Sequence, residues 1–278
     1  FRTDTNQRGG DLYWSKYEGN TWTNPGKFGP TINTKYNEPS ACLNVDGNIM
    51  FFTSNRPGGY GGKDIYRAVR FPNGEWSMPV NLGNTVNTAY DDDAPFLHPD
   101  GITLYFSSMG HETMGGYDIF KTEFSDTNNR WSDPANLGYP INTTDDDIFF
   151  VLSTDGQRGY YSSGKSDGYG AQDIYIITMP TYENRQLVIV KGGVFSGDST
   201  GIPLFSQIAV GNVESGKTEG VYQSNSKSGR FMMVLSPGIH YTLKVTSENY
   251  IAYEDVIFFQ KQKTSFEVEK KIILIKKP

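Results

Sequence analysis

Cysteine is almost absent from this 278-residue chain, with Cys42 its single example. An internal disulfide framework is therefore excluded, and a thiolate zinc site would lack further ligands of its kind. Cys42 falls in an apolar strand pattern and reads as a small buried hydrophobe. Histidine is nearly as scarce: His98, His111 and His240 have no acidic or thiol neighbours at metal-ligand spacing. Basic residues are in deficit, 25 Lys and Arg against 31 Asp and Glu, a net charge of −6. No basic face is available to displace counterions from a phosphate backbone, which excludes a nucleic-acid partner. No run approaches the ~18 apolar residues of a membrane helix. Gly-x-Ser-x-Gly elbows, phosphate loops and His-Glu-x-x-His are missing as well. These absences together argue against an enzyme.

Glycine and aromatic residues are plentiful, the profile of short strands joined by tight turns. A pattern recurs through them: a Gly-rich turn, Asp-aliphatic-aromatic, a Trp, Asn-Leu-Gly, then Ile/Val-Asn-Thr. The Asp-aliphatic-aromatic element falls at Asp11-Leu12-Tyr13, Asp64-Ile65-Tyr66, Asp118-Ile119-Phe120 and Asp173-Ile174-Tyr175, in steps of 53, 54 and 55 residues. A short all-β unit that cannot bury its own faces stacks on copies of itself, and this period points to propeller blades.

In the second copy Glu38–Leu43 reads as an inner strand, Ile49–Thr53 as the second and Asp64–Val69 as the third. Gly74–Pro79 reads as an outer edge, where proline's missing donor faces solvent. The third copy repeats this plan through Asp93–Leu97, Thr103–Ser107, Asp118–Phe120 and Trp131. The fourth stops at Met179-Pro180, before any Trp. Phe1-Arg2-Thr3 aligns with Phe52-Thr53-Ser54, so the chain is expected to begin inside a blade and to be a piece of a longer protein. Four or more blades are expected. Trp22, Trp76 and Trp131 are expected to cover gaps between blades. Asp11, Asp64, Asp118 and Asp173 are expected to cap loop amides.

The repeat ends near residue 184. Beyond it, seven strands are predicted: Leu187–Phe195, Ile208–Asn212, Gly220–Gln223, Phe231–Leu235, Tyr241–Ser247, Tyr250–Phe258 and Thr264–Leu274. That is the size of a small β-sandwich. The expected fold is thus all-β, with blades over 1–184 and a sandwich over 185–278.

Leu104-Tyr105-Phe106-Ser107-Ser108 followed by Gly115-Gly116-Tyr117-Asp118-Ile119-Phe120 resembles the TolB-type, WD40-like (PD40) propeller repeats of bacterial envelope proteins. The tail resembles the carboxypeptidase regulatory-like, transthyretin-like domain. Its matching segments are Gly192-Gly193-Val194-Phe195, Gly201-Ile202-Pro203-Leu204, Ser228-Gly229-Arg230-Phe231, Leu235-Ser236-Pro237-Gly238 and Tyr241–Val245. The order of the two is similar to that in OmpA-family outer-membrane lipoproteins of Bacteroidota, one of them a component of the type IX secretion and gliding apparatus. The resemblance implies a non-catalytic scaffold on the periplasmic face of the outer membrane. Its partners would be proteins of an outer-membrane complex. The lipid anchor, and any domain that binds peptidoglycan, would lie outside this chain.

The sharpest candidate cluster is acidic. Asp91-Asp92-Asp93 and Asp145-Asp146-Asp147, with Glu38 at the corresponding position, each open the innermost strand of a blade. They would gather at one channel mouth, as turn caps facing solvent, as a docking rim for a basic peptide, or as oxygen ligands for Ca²⁺, the one cofactor considered. Tyr60, Tyr117 and Tyr169 lie in the Gly-rich loops Asn55–Lys63, Met109–Tyr117 and Gly164–Gln172. They would serve a carbohydrate- or muropeptide-binding module, or pack the loops.

Overall fold

The computed structural model describes residues 9–18, 21–165, 168–179, 187–198, 201–262 and 266–277. The expected start at Phe1-Arg2-Thr3 and the expected boundary near residue 184 lie outside them. The described residues form strands and turns with no helix. The chain divides into two compact units, Phe1–Trp14 with Pro25–Tyr182, and Ser15–Asn24 with Glu183–Pro278.

In chain order, β1 (Tyr13–Trp14) precedes a hairpin of β2 (Tyr17–Glu18) and β3 (Thr21–Trp22), and β4 (Gly26–Lys27) pairs with β1. A four-stranded antiparallel sheet follows: β5 (Ala41–Leu43), β6 (Ile49–Ser54), β7 (Asp64–Val69) and β8 (Val80–Asn81). The third sheet holds β9 (Asp92–Leu97), β10 (Thr103–Ser108), β11 (Asp118–Ser125), β12 (Arg130–Trp131) and β13 (Ala135–Asn136). The fourth holds β14 (Asp147–Leu152), β15 (Arg158–Ser163) and β16 (Asp173–Thr178).

Two expected strands are shorter than predicted. The inner strand of the second sheet begins only at Ala41, past Pro39, which has no N–H to give a ladder. Its outer edge pairs through Val80–Asn81, after Pro79, while Trp76 meets Arg70 in an isolated bridge. Proline lacks the donor a ladder needs, so pairing resumes past it.

The sheets stack through shared apolar cores. Leu12 and Phe28 of the first pack on Met50, Phe52, Tyr66 and Ala68 of the second. Phe51 and Ile65 on the second sheet's other face pack with Leu97, Leu104, Phe106 and Phe120 of the third. Tyr105 and Ile119 pack in turn with Phe150, Leu152 and Tyr161 of the fourth. Strands covered on both faces read as continuous apolar runs, which is why Ile49–Phe52 shows no alternation. Among the described residues the sheets do not close into a ring.

The second unit carries seven strands beyond residue 187: β17 (Val188–Ser196), β18 (Gln207–Asn212), β19 (Thr218–Gln223), β20 (Arg230–Leu235), β21 (His240–Thr246), β22 (Tyr253–Phe258) and β23 (Phe266–Leu274). They form a three-stranded sheet, β20-β17-β23, and a four-stranded sheet, β19-β18-β21-β22. Inward residues of both sheets, among them Val190, Met233, Ile208, Leu243 and Ile272, share one core. Strict alternation along β21 fits a strand with one face buried and one in water.

Candidate functional site

The Gly-rich loops are held by the repeated aspartates. Asp64 accepts N–H bonds from Tyr60 (2.6 Å) and Gly61 (3.1 Å), and Asp173 accepts them from Tyr169 (2.7 Å) and Gly170 (3.1 Å). Asp118 accepts from Met114 N–H at 2.6 Å. Each carboxylate satisfies loop donors that would otherwise be left without partners.

The remaining motif residues latch the strand to the chain that returns beside it. Asn87 Oδ1 accepts from Ile65 N–H (2.7 Å), and its amide donates to Ile65 O (2.9 Å) and Asn81 Oδ1 (2.8 Å). Asn142 repeats this on Ile119 and Asn136, and Asn33 clamps Leu12. Asn81 and Asn136 then donate to Asp64 and Asp118 at 3.0 and 2.8 Å. Where the first copy has Lys27 instead of that Asn, an ion pair to Asp11 at 2.6 Å makes the same link.

The acidic residues divide by position. Glu38, Asp92 and Asp147 are buried and turn back on a threonine four residues earlier. Asp92 accepts from Thr88 N–H (2.5 Å) and its hydroxyl (3.0 Å), Asp147 likewise from Thr143, and Glu38 from Thr34. Burial pushes the Asp92 carboxyl up to about 6. These three face the interior and present no rim. Asp91 and Asp146 accept N–H bonds from Lys63 and Tyr117, each 3.0 Å, at the end of the preceding Gly-rich loop. Asn37 does the same for Gly10 at 2.6 Å.

The two acidic triplets are therefore out of register. Asp91 matches Asp146 and Asp92 matches Asp147, while Asp145 stands at the position of Tyr90 and Asp93 at that of Ile148. Asp93 is buried, bonded to the Ser40 hydroxyl (2.6 Å) and the Lys63 ammonium (2.8 Å). Lys63 also bonds Tyr117 Oη (2.9 Å), which donates to Asp91 Oδ2 (3.0 Å). Burial alone would lower the Lys63 pKa, but the bonds to Asp93 and Tyr117 raise it above its ordinary value. Only Asp145 and Asp146 of the seven candidates are well exposed. Among the described residues no three His, Cys, Asp or Glu side chains are grouped to hold a metal ion.

The loop aromatics also separate. Tyr117 occupies the position of Lys63 and is half-buried in that network, its phenol raised above the usual range chiefly by burial. The residue matching Tyr60 and Tyr169 is Met114, each four before the capping aspartate. Tyr60, Met114 and Tyr169 are 53%, 48% and 105% exposed, a row of outward apolar side chains on successive sheets. Sequence reading passed over Met114 because it sought a tyrosine. The available signal was spacing from Asp118.

A second series went unnoticed because its chemistry changes from copy to copy. The Arg56 guanidinium lies 5.0 and 5.1 Å from the Phe52 and Tyr66 rings and bonds Ile32 O at 2.7 Å. Lys165 lies over Tyr161 and Tyr175 and bonds Pro140 O at 2.8 Å. In the third sheet His111 packs on Phe106 and Phe120 with Nε2 2.9 Å from Val86 O. Trp76 and Trp131 bridge neighbouring sheets, against Phe28 and Phe51 respectively. Trp22 does not: it is 68% exposed, its ring 5.2 Å from that of Tyr17.

No family model and no curated protein matches this chain. Among solved structures it is similar to TolB from Acinetobacter baumannii, a β-propeller, at 19% identity over 72% of this chain and 43% of that one, with a TM-score of 0.33. It is also similar to an alpha-L-arabinofuranosidase from Lactobacillus brevis, at 15% identity over 58% and 57%, with a TM-score of 0.39. A third is 3-chlorocatechol 1,2-dioxygenase from Rhodococcus opacus 1CP, at 14% identity over 35% and 64%, with a TM-score of 0.27. The chain thus spans less than two thirds of the length of each of the three.

Proposed function

We propose that this chain is a non-catalytic scaffold that docks protein partners at the tips of its Gly-rich loops. The row Tyr60, Met114 and Tyr169 carries the reading: each donates its backbone N–H to a capping aspartate and turns its side chain to solvent. The repeated polar groups are occupied in holding this frame, so the loop tips are the part left free to vary. In this reading the stacked sheets are blades of a propeller of four or more, and residues 185–278 are a transthyretin-like sandwich. The resemblance of both parts to envelope lipoproteins supports a place on the periplasmic face of the outer membrane. The parent protein would carry its lipid anchor elsewhere and belong to a type IX secretion or gliding machine. The test is affinity capture from envelope extracts with the wild type and with Tyr60, Met114 and Tyr169 all changed to Ala. Capture of an outer-membrane protein by the wild type alone is expected. Recovery of no membrane partner, or equal capture by both, overturns the reading.

The exposure of Tyr60 and Tyr169 also favours a second reading, a carbohydrate- or muropeptide-binding module in which these rings stack on sugar faces. Calorimetric titration with muropeptides decides between the two: heat that vanishes in the triple variant supports the glycan reading, and its absence removes it.

A further inference from the structure

The second unit is cationic although the chain is acidic. Residues 187–278 hold 11 Lys and Arg against 8 Asp and Glu, where the whole chain has 25 against 31. Part of that charge is gathered on the outer face of the sheet β20-β17-β23. Gly193 pairs with Arg230 on one side and Lys271 on the other, so two cations share one cross-strand row across a residue without a side chain. Adjacent strands lie about 4.8 Å apart, which puts the two backbones about 10 Å from each other. Both long side chains can therefore reach one carboxylate between them. The space over Gly193 is taken by the Phe195 ring, since a Cβ there would lie 2.6 Å from Phe195 Cε2. The Lys271 ammonium stands 5.5 Å from the centre of that ring. Lys191 and Lys270 are neutralised by Glu267 and Asp255 at 2.7 and 2.8 Å, but among the described residues Arg230 and Lys271 form no ion pair. Like charges set in one row repel, and an anion bound between them relieves the repulsion.

This row floors a cleft of about 1090 Å³ whose lining residues all belong to the second unit. Its walls are Lys16–Glu18 and the turn Gln223–Ser226 with Phe205. Five Lys and Arg line it against two carboxylates, Glu18 and Glu269. Apolar groups stand among the charges: Tyr17, Phe205 and Met232 are 54%, 54% and 56% exposed. The cleft exceeds the roughly 300–1,000 Å³ of sites that enclose one compact small molecule, which favours a ligand several residues long. A bare inorganic anion would leave the apolar walls wet, and a flat bilayer cannot follow a concave surface. An extended peptide carries side chains of alternating direction, so acidic and apolar groups in alternation satisfy floor and walls together.

We propose that this cleft binds an extended acidic peptide segment of a partner protein. Arg230 and Lys271 hold its carboxylates, the guanidinium fork matching a carboxylate in two parallel bonds. Tyr17, Phe205 and Met232 take its apolar side chains. The site lies in the second unit and does not depend on the loop tips of the first. Fluorescence anisotropy of the 278-residue chain with a labelled hexapeptide of alternating Glu and Leu tests it. Binding is expected, and it should weaken with salt because the charges are exposed. Arg230→Glu with Lys271→Glu should lower the affinity about tenfold or more and should make the chain prefer a Lys-Leu hexapeptide. No binding of the Glu-Leu peptide, or equal binding by the double variant, overturns the proposal. Hexaglutamate binding as tightly as the Glu-Leu peptide does so too, because charge alone would then suffice. Should the double variant not fold, the wild type decides: the Met232 methyl resonance must shift when the Glu-Leu peptide is added, and an unmoved signal is equally fatal.

Discussion

At the scale of single residues, the carboxylates that look most like a binding cluster act mainly as internal braces. Asp92 is fully buried, and burial lifts its carboxyl from 3.8 to about 6 despite bonds from Ser108 and Thr88. A folded-state pKa above the unfolded one means the native state binds this proton more tightly, so Asp92 favours folding increasingly as pH falls from about 7 toward 4. Between pH 7 and 5 the gain is on the order of 1 kcal/mol. Asp100 acts oppositely. Burial raises its pKa, but bonds from His98 and Thr103 outweigh that and hold it at about 2, so its contribution is complete above about 4 and lost as pH falls through 2. The D92N variant should keep both Thr88 bonds while losing the gain between pH 7 and 5, as read by urea unfolding at each pH. An unchanged pH dependence would show that the burial of Asp92 is not felt in stability. Asn142→Ala is harsher. It orphans the buried Ile119 N–H and leaves the Ile119 carbonyl with the Leu137 N–H alone, a cost of about 1–3 kcal/mol expected in the denaturant midpoint.

At the scale of elements, the close approach of each Gly-rich loop to the next turn is what fixes the loop tips. A Cβ at Gly115 would overlap the backbone of Thr144, and one at Gly61 would overlap the carbonyls of Thr88 and Tyr90. Neighbouring backbone cannot swing aside as a side chain can, so Gly115→Ala should cost about 1–3 kcal/mol, the range of an overpacked site. Gly47→Ala, in open space, suffers only from its positive φ of 67° and makes the comparison. A thermal melt showing both equally mild would remove the close approach as a constraint. The strands themselves were legible in the sequence, because Asp64–Val69 and its copies are bracketed by turn residues and repeat at near-constant steps. The capping role of Asp64, Asp118 and Asp173 was legible for the same reason. The register of the acidic triplets was not. A run of three aspartates has no internal landmark, and its alignment is set by Thr88 and Thr143 four residues before the capping carboxylate. Nor could sequence show that Arg56, His111 and Lys165 are counterparts, since the shared feature is a cationic or imidazole group over an aromatic pair, reached from slightly different chain positions. Trp22 misled because its neighbours match the motif while its own segment, Ser15–Asn24, groups with the second unit and not with the sheets of the first.

At the scale of the whole molecule, a stack whose sheets share cores only with their neighbours should lose stability toward an uncovered end. The fourth sheet shows why. Its β15 and β16 form a full ladder, yet β16 has no further strand on its outer side among the described residues, whereas β7 pairs with β8 and β11 with β12 and β13. The asparagine latch stops at the same place: Ile65 and Ile119 are clamped by Asn87 and Asn142, and among the described residues no asparagine clamps Ile174. Among the described residues, three supports that the inner strands possess (a covering sheet, an outer partner and a side-chain clamp) are thus missing from β16 together. Local opening free energy falls with exactly such losses of buried apolar contact and shielded hydrogen bonds. The amides of Ile174, Ile176 and Thr178 should exchange well before those of Ile65, Arg67, Ile119 and Lys121. Hydrogen exchange read by mass spectrometry or NMR resolves these segments directly. Equal protection across all three strands would mean that β16 draws its support from outside the ladder and the latch, and would remove those two as the source of local stability.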